Sequence, residues 1–534
     1  MISIIIRLDF AYDMCYTKNQ IKGKEAMQMK SKIKFPKIFL ALAILSMLFL
    51  LFGCADKAAQ TQSAGDEAEN GKTENAVGPL EEKTEEQSPV PKDVNFNGEE
   101  MRILNCSYYT EDASDVRVES EIGEIVNDSI YRRNSKTQND LNLKFTFIDR
   151  SLTDGFNFNQ AIQNSAKAGS DDYDLLIDAQ YDCVPLATSN VLMNLTDLPY
   201  VDLSRPWWPG EYIKEMTIGE DRIYFLTGDI SLTFIRQMSC VYFNKKLYTD
   251  NFGDSDDMYK MVLEGKWTLD KLSDMAKGMY KDLNGNGEYD DGDQYACGLL
   301  AANLTDHFML DAGIRITARD SDDLPYFVMN NEKTVNFTEK LYQLYYNNEG
   351  SRIFPPTNES NNIAIPQKFM RDELLFDFGW FYISELLRNM QTDYGIIPFP
   401  KYDESQASYL SLAHDIVPIY CIPITCEKME AAGAVLEAMA FESYKSVLPS
   451  YFEVALKLKY ARDSSEDAFK IIDMIHDNNT TDFAYIYTFA LESIGHIMRE
   501  ITGAKTADFV SRYEKKEPRA QKGLEKIIDA YINN

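Results

Sequence analysis

Tyr173-Asp-Leu-Leu-Ile-Asp178 decides the fold. A short apolar run of this kind, bounded by polar turns, reads as a strand buried within a sheet. Working upstream, Phe158–Lys167 reads as a helix, Leu143–Ile148 alternates like a strand, Asn127–Leu141 reads as a helix, and Met101–Asn105 as another strand. This β-α-β-α-β rhythm calls for a parallel or mixed sheet covered by helices. In such sheets ligands bind beyond the carboxyl ends of the strands. The turn Asp178-Ala-Gln-Tyr-Asp182 sits at such an end, which makes Gln180, Tyr181 and Asp182 candidate ligand contacts.

Downstream, Ile223–Phe225 and Met238–Phe243 read as strands around the turn-like Thr227-Gly-Asp229, and Asp229 is a further candidate contact. Leu269, Leu272, Met275, Ala276 and Met279 mark one face of a helix with Thr268 as its N-cap. Helices are expected near Val335–Tyr346, Ile383–Met390 and Ala432–Ala440, and the chain ends in helical periodicity. Ile416–Ile424 reads as a buried strand, and Pro418 and Pro423 place it at an edge or a bend. At 534 residues the chain exceeds what one hydrophobic core usually serves, about 250–300 residues, so two lobes are expected.

The N-terminus carries an export signal. Lys30, Lys32, Lys34 and Lys37 precede an apolar run, Ile38–Phe52, followed by Gly53-Cys54. A basic segment before a short apolar run is a secretory signal, and the run is short of the roughly 20 residues a spanning helix needs. Leu51-Phe52-Gly53-Cys54 looks like a bacterial lipobox, with Phe52 as the departure, so Cys54 is the expected lipidation site. Residues 1–29 sit poorly ahead of this signal, and Met27 or Met29 is the expected start. From Ala55 to about Asn95 there is no Ile, Met or aromatic residue, which describes a flexible tether that cannot bury enough apolar surface to fold. Such a chain is held outside the cytoplasm, on a membrane surface, by its lipid.

The formal charge is −30, and it becomes −35 once residues 1–53 are removed. That surface repels phosphate backbones, so nucleic acid is excluded as a partner, and a strongly anionic ligand is disfavoured. Six cysteines remain besides Cys15 and Cys54: Cys106, Cys183, Cys240, Cys297, Cys421 and Cys426. They form no zinc-like pairs and no dense framework, so buried thiols are expected.

Asp282-Leu-Asn-Gly-Asn-Gly-Glu-Tyr-Asp-Asp-Gly-Asp293 places oxygen ligands at calcium-loop spacing. Asp282, Asn284 and Asn286 fill positions 1, 3 and 5, Gly287 supplies the sharp turn at position 6, Glu288 offers its carbonyl, and Asp290 is position 9. Closure falls to Asp291 or Asp293. A structural calcium ion is expected, the alternative being an Asx- and Gly-rich turn without an ion.

Aromatic residues cluster at Trp207-Trp208 and at Phe378-Gly-Trp-Phe-Tyr382. Sugar rings stack their C–H faces on such side chains while carboxylates and amides take the hydroxyls. Trp380 and Tyr382, with Trp207 and Trp208, are therefore candidate contacts for a neutral carbohydrate, although any single ring can equally be core. The four histidines form no metalloprotease pattern, no nucleophile elbow is present, and no phosphate-cradling glycine loop appears.

Two further segments carry a family resemblance. Trp267-Thr-Leu-Asp-Lys-Leu-Ser-Asp-Met-Ala-Lys runs straight into the Asp282–Asp293 loop and Tyr295-Ala-Cys-Gly298, and Tyr394-Gly-Ile-Ile-Pro-Phe-Pro400 follows later. With the layout of the chain from Cys54 onward, these segments resemble the extracellular solute-binding proteins of carbohydrate-type ABC importers, family 1. Ala296-Cys297 departs from the family's usual Tyr-Gly. The resemblance implies an α/β, two-lobed, periplasmic-binding-protein-like fold of type II character with crossing hinge strands. It implies crossings at Thr233–Tyr242 and Ser411–Ile419. After a signal over 1–53 and a tether over 54–97, lobe 1 is then 98–232 plus 416–461, and lobe 2 is 235–414 plus 462–534. It also favours Asp291 over Asp293 as the calcium ligand. The function implied is a non-enzymatic, monomeric binding protein that delivers a carbohydrate, an oligosaccharide by expectation, to ABC permease subunits. The competing reading is a secreted carbohydrate-active enzyme, a hydrolase or lyase, which needs a carboxylate pair facing across the cleft at about 5–9 Å.

Overall fold

In the computed structural model, residues 87–107, 113–151, 156–354, 359–453 and 466–532 are described. The expected signal, Cys54 and the tether as far as residue 86 lie outside the described residues.

The strand expected at 173–178 forms over Leu175–Ala179, with every residue buried. It is one of four strands in the first sheet, whose order is Pro418–Cys421, Leu175–Ala179, Glu99–Ser107, Leu143–Ser151. Glu99–Ser107 pairs in parallel with both of its neighbours, whereas Pro418–Cys421 adds to Leu175–Ala179 antiparallel. The edge position of Pro418–Cys421 suits its leading proline, which has no N–H to give to a ladder. The helix Ile125–Leu141 begins with the Glu124 carboxylate accepting from Asn127 N and stops at Asn142, in left-handed conformation. Phe158–Ala168 is capped by Asn157 and closed by Gly169 at φ +61°. Ordered structure starts earlier than expected: Val90 is buried and Phe96 N–H donates to Leu141 O, so the end of the 54–97 tether belongs to the fold.

The second sheet has five strands in the order Tyr394–Ile397, Ser239–Asn244, Leu374–Trp380, Tyr295–Leu300, Ser351–Phe354. The first three pair antiparallel and the last three in parallel. The Trp267 indole is wholly buried behind this sheet and donates to Pro398 O at 3.0 Å. Thr268 caps the helix Leu269–Ala276 as its spacing predicts, accepting from Lys271 N.

Three local expectations change. Ile223–Phe225 is not a strand; the backbone near it makes only isolated bridges, Ile218 with Arg222 and Leu226 with Tyr420. The turn expected at Asp178–Asp182 is instead the immediate start of a helix, Gln180–Ala187. The first crossing is not strand throughout, because it opens with a short helix, Leu232–Arg236. The cause is a buried carboxylate: Asp115 accepts from Leu232 N, Thr233 N and Ser231 Oγ and so satisfies the amides that open the helix. The second crossing touches the first through the Met238–Ala413 bridge and the bond from His414 N to Gln237 O. The six cysteines from Cys106 onward are free thiols.

Candidate functional site

Between the two sheets, polar side chains are buried at strand ends, crossings and the C-terminal region. At the carboxyl end of Leu175–Ala179, Asp178 is 1% exposed and Gln180 is fully buried. Asp178 Oδ1 accepts from Ala179 N, and its Oδ2 has no hydrogen-bond partner. Gln180 Oε1 accepts from Tyr212 OH, and its Nε2 has no partner. Asp182, in the first turn of the helix, is half-buried with an unpartnered Oδ2. Burial pushes its carboxyl up to about 6. Burial, and then the neighbouring Asp182, raise Asp178 well above the ordinary carboxylate range. Tyr181 meets Phe489 edge-on at 6.2 Å, and Phe489 is 58% exposed.

From the second sheet come Trp380 and Tyr382, whose rings stack at 5.8 Å and 11°. Trp380 is almost wholly buried, and its indole N–H donates to His307 Nε2 at 2.9 Å. Burial and the nearby His414 hold His307 well below the usual imidazole range, so this ring is neutral with its proton on Nδ1. The edge of His414 faces Trp380 at 5.4 Å, and its Nε2 is 3.0 Å from Asn303 Nδ2. Gly379 does not bend the backbone beside Trp380. It lies inside the strand, where a Cβ would come within 2.2 Å of Ile383 Cδ1.

The two groups are joined by a third. Asp415, in the second crossing, lies 2.8 Å from His414 Nδ1, 3.0 Å from His496 Nε2 and 3.1 Å from Arg499 Nη2. Burial opposes its charge, but His414 and Arg499 outweigh burial and hold Asp415 well below the carboxylate range. Arg499 also pairs with Asp306, which burial nevertheless pushes up to about 7. Tyr212 bridges toward the first group, since it donates to Gln180 and also feels Asp415 and Thr481. Asp229 is committed to His476, Oδ1 to Nε2 at 3.0 Å. Burial works against the imidazolium, but Asp229 and Asp477 prevail and push His476 up to about 10.

Gln180 thus reaches this polar layer through Tyr212, and Trp380 reaches it through His307 and His414. Trp207 and Trp208 are not part of it. Both are buried, and their indole N–H groups share one carboxylate, Glu437, at 2.8 and 2.9 Å. Two N–H donors beside one another in an apolar core need an acceptor, which is why Glu437 is tolerated at 0% exposure. The four histidines, Phe489, Asp306, Asp415 and Arg499 were missed in the sequence. They fall in separate stretches of the chain, around residues 306, 414, 476 and 489–499, and no recognised motif marks them.

The 282–293 loop folds as its spacing requires. Gly285 and Gly287 take φ of +72° and +76°, and their amides donate to the two oxygens of Asp282 at 2.6 and 2.9 Å. The amides of Asn284 and Asn286 both face Asp290, at 2.9 and 2.6 Å. Amide O and N exchange by a half-turn, so these side chains can present oxygen to a cation at the same place. Asp293 is fully buried and turned inward, accepting from Leu283 N, Asp290 N and Tyr280 OH. Asp291 faces away, its Oδ1 held by Arg352 at 2.7 and 2.9 Å. Of the two closing candidates, Asp293 is thus turned into the loop and Asp291, which the family resemblance favours, is turned out of it. An all-oxygen set of Asp282, Asn284, Asn286, Asp290, Asp293 and the Glu288 carbonyl suits a hard divalent cation, although among the described residues no group of three His, Cys, Asp or Glu is already drawn together as a metal site.

Among the described residues no helix is long and apolar enough to cross a membrane. No protein-family model matches the chain, and no curated protein matches it. Solved structures do. An ABC transporter solute-binding protein from Thermotoga lettingae, bound with α-D-tagatose, superposes with a TM-score of 0.50 at 13% identity, covering 80% of this chain and 100% of its own. UspC of M. tuberculosis superposes with a TM-score of 0.51 at 12% identity, covering 79% of this chain and 100% of its own. The chain thus has the two-lobed α/β fold of periplasmic-type solute-binding proteins.

Proposed function

We propose that this chain is an extracytoplasmic, non-enzymatic binding protein that takes a carbohydrate, an oligosaccharide by expectation, between its two sheets and delivers it to the permease subunits of an ABC importer. The observation that carries this reading is the pairing of unpartnered, buried polar atoms at Asp178, Gln180 and Asp182 with the stacked rings of Trp380 and Tyr382. Hydroxyl-rich rings need both: acceptors and donors for their edges and aromatic surface for their faces. The shared fold supports it, as one structure similar to this chain is a solute-binding protein bound with α-D-tagatose.

In this reading lobe 1 is 98–232 plus 416–461 and lobe 2 is 235–414 plus 462–534, closing about the two crossings. Cys54 carries the lipid, the residues after it form the tether, and the protein works as a monomer. A calcium ion in the 282–293 loop ties the helix Leu269–Ala276 to the strand Tyr295–Leu300. Its role is structural, because no nucleophile or base accompanies it. The test is a thermal-shift screen of the purified chain against sugars, since a ligand at 100 times its Kd adds about 2.7 kcal/mol to stability. At least one sugar should raise the melting temperature saturably; turnover of a glycosidic substrate would replace this reading with the enzymatic one.

A further inference from the structure

The polar end of the Leu175–Ala179 strand has a charge problem that a neutral sugar does not solve. Asp178, near the end of the strand, and Asp182, in the first turn of the following helix, each have an interior Oδ2 that no protein group satisfies. Asp178 is 99% buried, and Gln180 between them is entirely so. Neither acid has a Lys, Arg or His among its hydrogen-bond or charge partners. The other buried acids of this layer do: Asp229 has His476, Asp306 has Arg499, and Asp415 has Arg499 with two histidines. Asp311 and Asp377 are buried without a cation as well, so this corner is one of several places with uncompensated acids and is set apart by holding two of them beside Gln180.

Gln180 supplies an independent observation. Tyr212 OH fixes its Oε1 as an acceptor, which leaves the Nε2 protons unclaimed in a buried position. The corner therefore offers two acids that burial holds toward the neutral form and one neutral donor. A hydroxyl can bond to either acid but brings no charge that would let the pair ionise. A protonated primary amine brings up to three N–H donors and a compensating charge. An adjacent hydroxyl or ring oxygen can then accept from Gln180. A net charge of −30 over the whole chain also draws cations toward it.

Resting on the carbohydrate-binding reading above, we propose that the sugar recognised here is an amino sugar, with its ammonium group held by Asp178 and Asp182 and a neighbouring oxygen held by Gln180. The site distinguishes a free amine from the N-acetyl and hydroxyl forms of the same sugar, because neither of those carries the balancing charge.

The test is calorimetric titration and thermal shift of the purified full chain at neutral pH. The probes are matched sets bearing amine, N-acetylamine or hydroxyl at one carbon, as monosaccharides and as short oligomers of α and β linkage. The amine-bearing member should bind at least tenfold more tightly than its two counterparts. Asp182→Asn and Asp178→Asn, each shown by circular dichroism to be folded, should reduce that preference to within about twofold. If a neutral or N-acetylated sugar binds as tightly as its amine counterpart, the amino-sugar assignment is overturned while carbohydrate binding stands. If the amine preference survives both variants, its placement at this corner is wrong. If no sugar in any set binds, the carbohydrate reading falls with it.

Discussion

The indole N–H of Trp380 donates to Nε2 of His307 across 2.9 Å, joining the end of the Leu374–Trp380 strand to the first turn of the helix Leu304–Asp311. This bond fixes the aromatic face that Trp380 and Tyr382 share, and it requires a neutral imidazole. Replacing His307 with Leu should leave the buried indole N–H without an acceptor and cost about 1–3 kcal/mol, read as a lowered melting temperature. His307→Gln, whose amide oxygen can accept in place of Nε2, should recover part of the loss. Equal melting temperatures for wild type and His307→Leu would show that the bond contributes nothing.

Asp182 should be a residue that weakens the fold. Its carboxyl is pushed up from the ordinary value to about 6 by burial. A raised acid destabilises the folded state above its folded pKa and has no effect below its unfolded one. Asp182→Asn should therefore stabilise the protein at pH 7.5, by on the order of 1–3 kcal/mol, and the gain should vanish near pH 4. Melting curves of both proteins across that range check this; a gain that persists unchanged at pH 4 would assign the effect to packing instead.

His476 predicts the opposite slope. Its pKa is pushed up to about 10, so the Asp229 pair stabilises fully below the unfolded imidazole value of about 6.5 and is lost as pH rises toward 10. His476→Gln should flatten the alkaline side of the stability profile. His496, pushed down to about 4 by burial and by Arg499, contributes above about 6.5 and is lost as pH falls toward 4. An alkaline slope identical in wild type and His476→Gln would refute the assignment.

Chelation should lower the melting temperature, because the carboxylates of the 282–293 loop repel one another without a cation. Asp282→Ala and Asp293→Ala should each remove that sensitivity, while Asp291→Ala should retain it. Sensitivity lost in Asp291→Ala and kept in Asp293→Ala would return the ligand set to the family pattern. A wild-type curve indifferent to chelator, with no metal by elemental analysis, leaves only a turn.

Much of the fold was legible because it rests on local signals. The buried run at Leu175–Ala179, the Thr268 cap and the glycine at position 6 of the 282–293 loop each obey a short-range rule, and each is where the sequence puts it. The misread elements depend on distant partners. Leu232–Arg236 has a local N-cap in Ser231, but its first two amides and the Ser231 hydroxyl are all held by Asp115, more than a hundred residues away and outside any window around residue 232. The tryptophans show the same limit. Trp207, Trp208 and Trp380 look alike in sequence and all three are buried, but Glu437 takes the indole N–H groups of the first two while His307 takes that of Trp380, beside Tyr382. Of the candidate site, the strand-end half was readable from sheet topology. The half built from His307, His414, Asp415, His496 and Arg499 exists only once the chain has folded.

The central claim is that a sugar binds between the two sheets, against Asp182 and Tyr382. Isothermal titration of the purified chain with the sugar that most raises its melting temperature tests it most directly, with Asp182→Asn and Tyr382→Ala measured alongside. Saturable binding by the wild type, weakened about tenfold or more in each folded variant, is the predicted result, as a lost buried hydrogen bond costs about 1–3 kcal/mol. Wild-type affinity in both variants, or no heat with any sugar, would contradict it.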